Sequence, residues 1–142
     1  MNLLRGGKIS SLIICFMCLF GCNGGEKSVE MGPVETVEAF YKAISIGQWN
    51  DAMALCDTLT MKEYIDNHIE AWTRLQKKDE NAMNIAKSIF ENMTVTVDDM
   101  HKDDNKRVVI YTVEADGLSK NKRAIVTKVE RAWRVESITD VN

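Results

Sequence analysis

"VVIYTVEADGLSKNKRAIVTKVERAWRVES", residues 108–137, is the stretch whose reading decides the fold. Val108 to Val113 is apolar on both parities, the pattern of a strand covered on both faces or central in its sheet. Gly117 to Asn121 reads as a turn and Arg123 to Val129 as a second strand. Glu130-Arg131-Ala132 makes a tight connection, after which Trp133, Val135 and Ser137 alternate along a last strand. Just upstream, Met93, Val95 and Val97 alternate with threonines, so another strand precedes the run, with Asp98 to Asn105 as a polar turn between them. Strands joined by connections this short pair antiparallel, as a meander.

Toward the N-terminus the period changes from two to helical. Pro33 suits the first turn of a helix, where its missing N–H costs nothing. Val34, Val37, Phe40, Tyr41 and Ile44 then recur at helical spacing and Gly47 is a natural stop. A short second helix places Trp49, Ala52, Met53 and Cys56 on one side. Thr60-Met61-Lys62-Glu63 has the form of a capping box, a threonine capping a backbone N–H while the glutamate reaches back. Beyond it Met61, Ile65, His68, Ile69, Trp72 and Leu75 form an apolar stripe, which resumes at Ala82, Met83, Ala86, Ile89 and Phe90. A single helix over 61–92 would be about 48 Å long. A domain of this size has a radius of gyration of roughly 14 Å. The polar run Lys77-Lys78-Asp79-Glu80-Asn81 is therefore expected to break the helix. Helices first and a meander after them define an α+β domain: N-terminal helices packed on a curved antiparallel sheet of three to four strands.

Two segments carry a family resemblance. Pro33-Val34-Glu35-Thr36-Val37-Glu38-Ala39-Phe40-Tyr41-Lys42-Ala43-Ile44 with Gly47-Gln48-Trp49-Asn50-Asp51-Ala52 is a proline-led helix bearing a Phe-Tyr pair, then a glycine, an aromatic and an alanine. Val126-Thr127-Lys128-Val129-Glu130 with Ala132-Trp133-Arg134-Val135 is a closing hairpin. Together they resemble the nuclear transport factor 2-like (cystatin-like) superfamily, and more narrowly a family of small Gram-negative lipoproteins classed as a domain of unknown function. The resemblance implies a cone, in which the sheet wraps around the helices. Gln48 stands where an N-capping aspartate is common, and Ala132 where the hairpin often has glycine; both bear on local turn geometry.

The first two dozen residues carry an address. Arg5 and Lys8 precede Ile9 to Phe20, an uncharged apolar run of twelve that is too short for a spanning helix, which needs about 20 residues. The layout is that of a secretory signal. Cys15 and Cys18, spaced like a redox or zinc half-site, would leave with it. Leu19-Phe20-Gly21-Cys22 resembles the lipobox of bacterial lipoproteins, in which the cysteine is lipidated (diacylglycerol and palmitate) and becomes the new N-terminus. Several acyl chains together hold a protein on a bilayer where one does so only marginally. Residues 1–21 are thus expected to be a lipoprotein signal peptide, 22–32 the lipidated N-terminus and a flexible tether, and 33–142 the folded domain. Asn23 rather than aspartate follows Cys22, which points to the cell outer membrane, with the face left open.

After removal of residues 1–21 the chain has 16 Lys and Arg against 21 Asp and Glu. A surplus of acid gains nothing from polyanions, which counts against nucleic acid as a partner. Cys56 is then the one thiol besides the lipidated Cys22, so it has no partner for an internal disulfide. Beside Met53 and Leu55 it reads as a buried, inert thiol. Asp98-Asp99 and Asp103-Asp104-Asn105 lack the alternation and glycine of a calcium loop, and Glu114 with Asp116, expected on one strand face, has no histidine beside it. Neither calls for a metal, and no pattern calls for a cofactor. Lys120, Lys122 and Arg123 read as a basic cluster at a turn that protects a sheet edge or aids solubility.

His68 is the candidate functional side chain, on the apolar stripe with Tyr64 one turn before it and Trp72 one turn after. An imidazole facing a cavity can transfer a proton or orient a ligand, but it lacks a second partner in the sequence. Tyr41, Tyr64, His68 and Trp72 are the ligand-binding candidates, and no residue is assigned as catalytic. Two functions follow as expectations. One is a lipid-anchored, non-catalytic accessory domain that holds a small apolar or amphipathic ligand or docks an envelope protein, with a homodimer through the sheet. The other is an envelope enzyme of the same fold, of isomerase, dehydratase or hydrolase type, with His68 as acid or base.

Overall fold

The computed structural model describes residues 30–142; the segments expected to be signal and tether, with Cys22, lie wholly or mostly outside the described residues. Four helices come first: α1 (Pro33–Ser45), α2 (Trp49–Ala54), α3 (Lys62–Lys78) and α4 (Glu80–Glu91). Four strands follow: β1 (Thr94–Asp103), β2 (Lys106–Ala115), β3 (Leu118–Val129) and β4 (Ala132–Asp140). The strands form one antiparallel, open, curved sheet in sequence order. The domain is α+β. Among the described residues no helix is long and apolar enough to cross a membrane.

Pro33 occupies the first turn of α1, and the Thr36 backbone N–H and hydroxyl both donate to the Gly32 carbonyl. The helix ends where Gly47 turns left-handed at φ 79, which lets the Gln48 N–H reach back to the Ala43 carbonyl. One face of α1 (Val37, Phe40, Ala43, Ile44) is fully or almost fully buried with Val109, Tyr111, Val126 and Val135 of the sheet. These sheet residues share the parity that points toward the helices. α2 stops at Ala54, so Cys56 lies beyond it. Cys56 is bridged to Val135: the Asp57 N–H donates to the Val135 carbonyl at 2.8 Å and the Val135 N–H to the Leu55 carbonyl at 2.9 Å. The α2–α3 connection thereby covers part of the β4 edge.

Several local expectations need correction. The Thr60–Glu63 capping box does not form. Asp57 instead organises the turn before α3, its carboxylate accepting from the N–H groups of Leu59 and Thr60 and its carbonyl from the Thr60 hydroxyl. Both groups that Thr60 would bring to the box are thus engaged, and α3 starts after Met61 with no side-chain cap. The two polar stretches read as long turns are mostly strand. Each hairpin needs only two turn residues, Asp104-Asn105 and Asp116-Gly117, with positive φ at Asp104, Asp116 and Gly117. Asp116 is therefore a turn residue and does not share a strand face with Glu114. Two bulges shift the alternation, between Val97 and Asp99 on β1 and opposite Ile125–Val126 on β4. After the second, Ile138 replaces Ser137 on the core side of β4.

The break between α3 and α4 falls at Asp79, inside the expected polar run. Its backbone is extended (φ −165, ψ 114) and its carboxylate accepts from the Asn81 N–H at 2.9 Å, capping α4. Removing the cap with Asp79→Ala is expected to lower the free energy of unfolding by about 1 kcal/mol, read as a reduced midpoint in urea unfolding.

Candidate functional site

The β2–β3 hairpin sets one wall of a cleft. Its register pairs Ala115 with Leu118, Val113 with Lys120, and Tyr111 with Lys122, so these six point to the helix side in rungs from the tip inward. The facing wall is α4, where Ala86, Ile89 and Phe90 fall at positions three and four apart on one face. Tyr41 of α1 and His68 of α3 close the inner end. The space enclosed is about 480 Å³, within the range of small-molecule sites. A second cavity of about 210 Å³ shares Tyr41, His68, Ala86 and Phe90 and runs on to Trp72 and Leu75 of α3.

Of the residues singled out in the sequence, Tyr41 and His68 line both cavities and Trp72 lines the second. Tyr64 lines neither. It lies between Phe40, whose ring centre is 6.2 Å away, and His68, at 4.4 Å with the planes 33° apart. His68 Nδ1 is 2.8 Å from the Tyr64 carbonyl oxygen. A carbonyl can only accept, so Nδ1 carries the proton and the ring is oriented by the backbone of its own helix.

A polar cluster sits at the inner end. The Lys122 side chain is only 12% exposed and ion-pairs with Asp140 across the β3–β4 ladder. Its ammonium lies 5.9 Å from the centre of the Tyr41 ring. The hydrogen bond from Lys122 and then its charge hold the Asp140 carboxyl below the usual carboxylate range. Burial raises the Tyr41 phenol above its ordinary value, with Lys122 working against the shift. Burial likewise raises Tyr64 and Tyr111, further than Tyr41. Tyr41 and Tyr111 meet edge to face at 5.9 Å, and the Tyr111 hydroxyl is buried without a hydrogen-bond partner. Among the described residues no three His, Cys, Asp or Glu side chains group as a metal site.

Lys120 and Lys122 were the residues missed as lining. Their signal was parity: they alternate with Ala124 and Val126, which are buried, whereas Arg123 belongs to the opposite face. Cys56, read as an inert thiol, is buried and unpaired, and burial, with Asp57 adding, pushes its pKa up to about 11.

The site and fold together define an α+β domain with an apolar cleft between its helices and the free end of its sheet. No family model and no curated protein matches the chain. Among solved structures it is similar to an NTF2-like protein of unknown function from Cytophaga hutchinsonii ATCC 33406, with 12% identity, a TM-score of 0.36, and coverage of 81% of this chain and 93% of that one.

Two outcomes are expected. Tyr111→Phe removes an unsatisfied buried hydroxyl and is expected to raise stability by about 1 kcal/mol in urea unfolding. Cys56 holds its proton more tightly when folded (about 11) than at its ordinary 9.0, so its contribution is complete below pH 9 and is lost as pH rises toward 11. The raised tyrosines add to this from pH 10 upward. Urea midpoints should therefore fall from pH 8.5 to about pH 11, and Cys56→Ala should flatten the early part of the fall.

Proposed function

We propose that this protein is a lipid-anchored, non-catalytic binding domain of the bacterial cell envelope, holding a small apolar or amphipathic ligand in the cleft between α4 and the β2–β3 hairpin. The observation that carries the reading is the pair of adjoining cavities sharing Tyr41, His68, Ala86 and Phe90, with a mostly apolar lining, Tyr41, His68 and Lys122 at the inner end and Lys120 and Asp116 toward the hairpin tip. Sites for small molecules have this composition: hydrophobic walls and a few placed polar groups. What favours binding over catalysis is the use made of His68. Its Nδ1–H goes to a backbone carbonyl and its ring face to Tyr64, and among the described residues no acidic or basic side chain is hydrogen-bonded to it as the second partner that proton transfer uses. The nuclear transport factor 2-like architecture suggested by Pro33–Ala52 and the closing hairpin fits the same reading.

The anchor rests on Leu19-Phe20-Gly21-Cys22 and the basic and apolar segments before it, and Asn23 after the cysteine favours the outer membrane. The polar, glycine-containing residues from Asn23 to Ser28 would give the domain reach from the bilayer. Wild-type protein from cells grown on labelled palmitate should carry the label and sediment with membranes. Cys22→Ser should lose both properties. Recovery of unlabelled, full-length wild-type chain from the cytosol would overturn the anchor.

A further inference from the structure

We infer that the cleft is built for an amphipathic carboxylate, a single acyl or similar apolar chain ending in one carboxylate group; this rests on the binding reading above and deepens it. Lys120 and Lys122 are alternate residues of one strand and both face the helices, in a chain whose net charge is −3. Lys122 is the decisive one. An ammonium drawn this far from water, at 12% exposure, interacts with charge far more strongly than one on the surface.

The geometry leaves Lys122 partly free. Asp140 accepts one hydrogen bond from it, and the Tyr41 ring lies beneath its charge at 5.9 Å. An ammonium has three donors, and the cleft it lines is where the remaining ones can find an acceptor. A ligand carboxylate there gains a charge-assisted hydrogen bond, with the Lys120 charge one rung nearer the tip. The apolar chain then lies between Val113, Ala115 and Leu118 on the sheet and Ile89 and Phe90 on α4, where burial is favourable in proportion to area. The two nearby carboxylates do not reverse this preference. Asp140 is already paired with Lys122, and Asp116 stands on an exposed turn where water and salt screen it. A cationic amphiphile would bring a second positive charge to Lys122, and a neutral one would leave its donors poorly matched.

The test is calorimetric titration of the full chain carrying Cys22→Ser with three probes that share a ten-carbon tail: sodium decanoate, decanol and decyltrimethylammonium, each below its micelle concentration. Decanoate is expected to bind about ten- to a hundredfold more tightly than decanol, the worth of a hydrogen bond to a charged group, and decyltrimethylammonium more weakly than either. Lys122→Met should bind decanoate and decanol alike; Lys120→Gln, a change at an exposed residue, should narrow the gap. Equal binding of decanoate and decanol by the unmodified cleft, or tighter binding of the cation, overturns the carboxylate assignment and leaves the cleft a general apolar site. A full preference for decanoate in Lys122→Met overturns the role given to Lys122. Failure of all three probes to bind overturns the binding function itself. The comparison among probes needs no variant of the cleft, so it decides the assignment even where Lys122→Met does not fold.

Discussion

The contact on which the rest depends is the burial of one face of α1 against the sheet. Val37, Phe40 and Ile44 have no exposed surface, nor do Val109, Tyr111, Val126 and Val135 across from them. Each such aliphatic or aromatic side chain contributes about 1.5–3 kcal/mol by leaving water. Among the described residues, α1 is the one helix that packs substantially on β2, β3 and β4 together. It thereby sets the distance between the helical layer and the sheet, and every later helix is positioned relative to it.

The cleft follows from that arrangement. α1 covers the middle of the sheet, and its Tyr41 reaches to the boundary of the covered region. The β2–β3 hairpin runs on past that boundary to Leu118, which is 71% exposed. α4 packs on α3 and α1 and faces the hairpin end across open space. Sheet residues under the helix are therefore core, and residues of the same parity two rungs further out are lining. Lys122 marks the transition: it pairs in register with the fully buried Tyr111 and still reaches the cavity.

How much of this was legible in the sequence depended on whether a feature is periodic or geometric. The apolar repeat of Val37, Phe40 and Ile44 and the two-sided run Val108–Val113 are periodic, and they placed α1 and β2. The polar run ending at Asn81 could be weighed against the size of the domain, and it located the break at Asp79. Strand length was misread where strands are charged. Asp98 to Asp103 and Ser119 to Asn121 look like turns because their side chains are polar, yet their backbones continue the ladder and only two residues are needed to reverse direction. Bulges carry no strong sequence signal, so the switch from Ser137 to Ile138 was invisible. His68 and Tyr41 stood out because polar or amphipathic groups on an apolar stripe are unusual. Lys122 did not, because a lysine in a strand reads as solvent-facing until the parity of its neighbours is known.

α4 has one further property with a physical consequence. It presents an apolar face through Ala86, Ile89 and Phe90, yet none of its residues is fully buried. Little apolar area would be exposed by lifting it away, so its local opening free energy must lie well below that of β2, whose Val109 and Tyr111 have no contact with water. Backbone amides from Glu80 to Glu91 will exchange with solvent deuterium through excursions that leave the sheet intact. The same partial opening widens the space beside Lys122, so the width of the cleft is tied to the stability of a single helical segment rather than to unfolding of the whole.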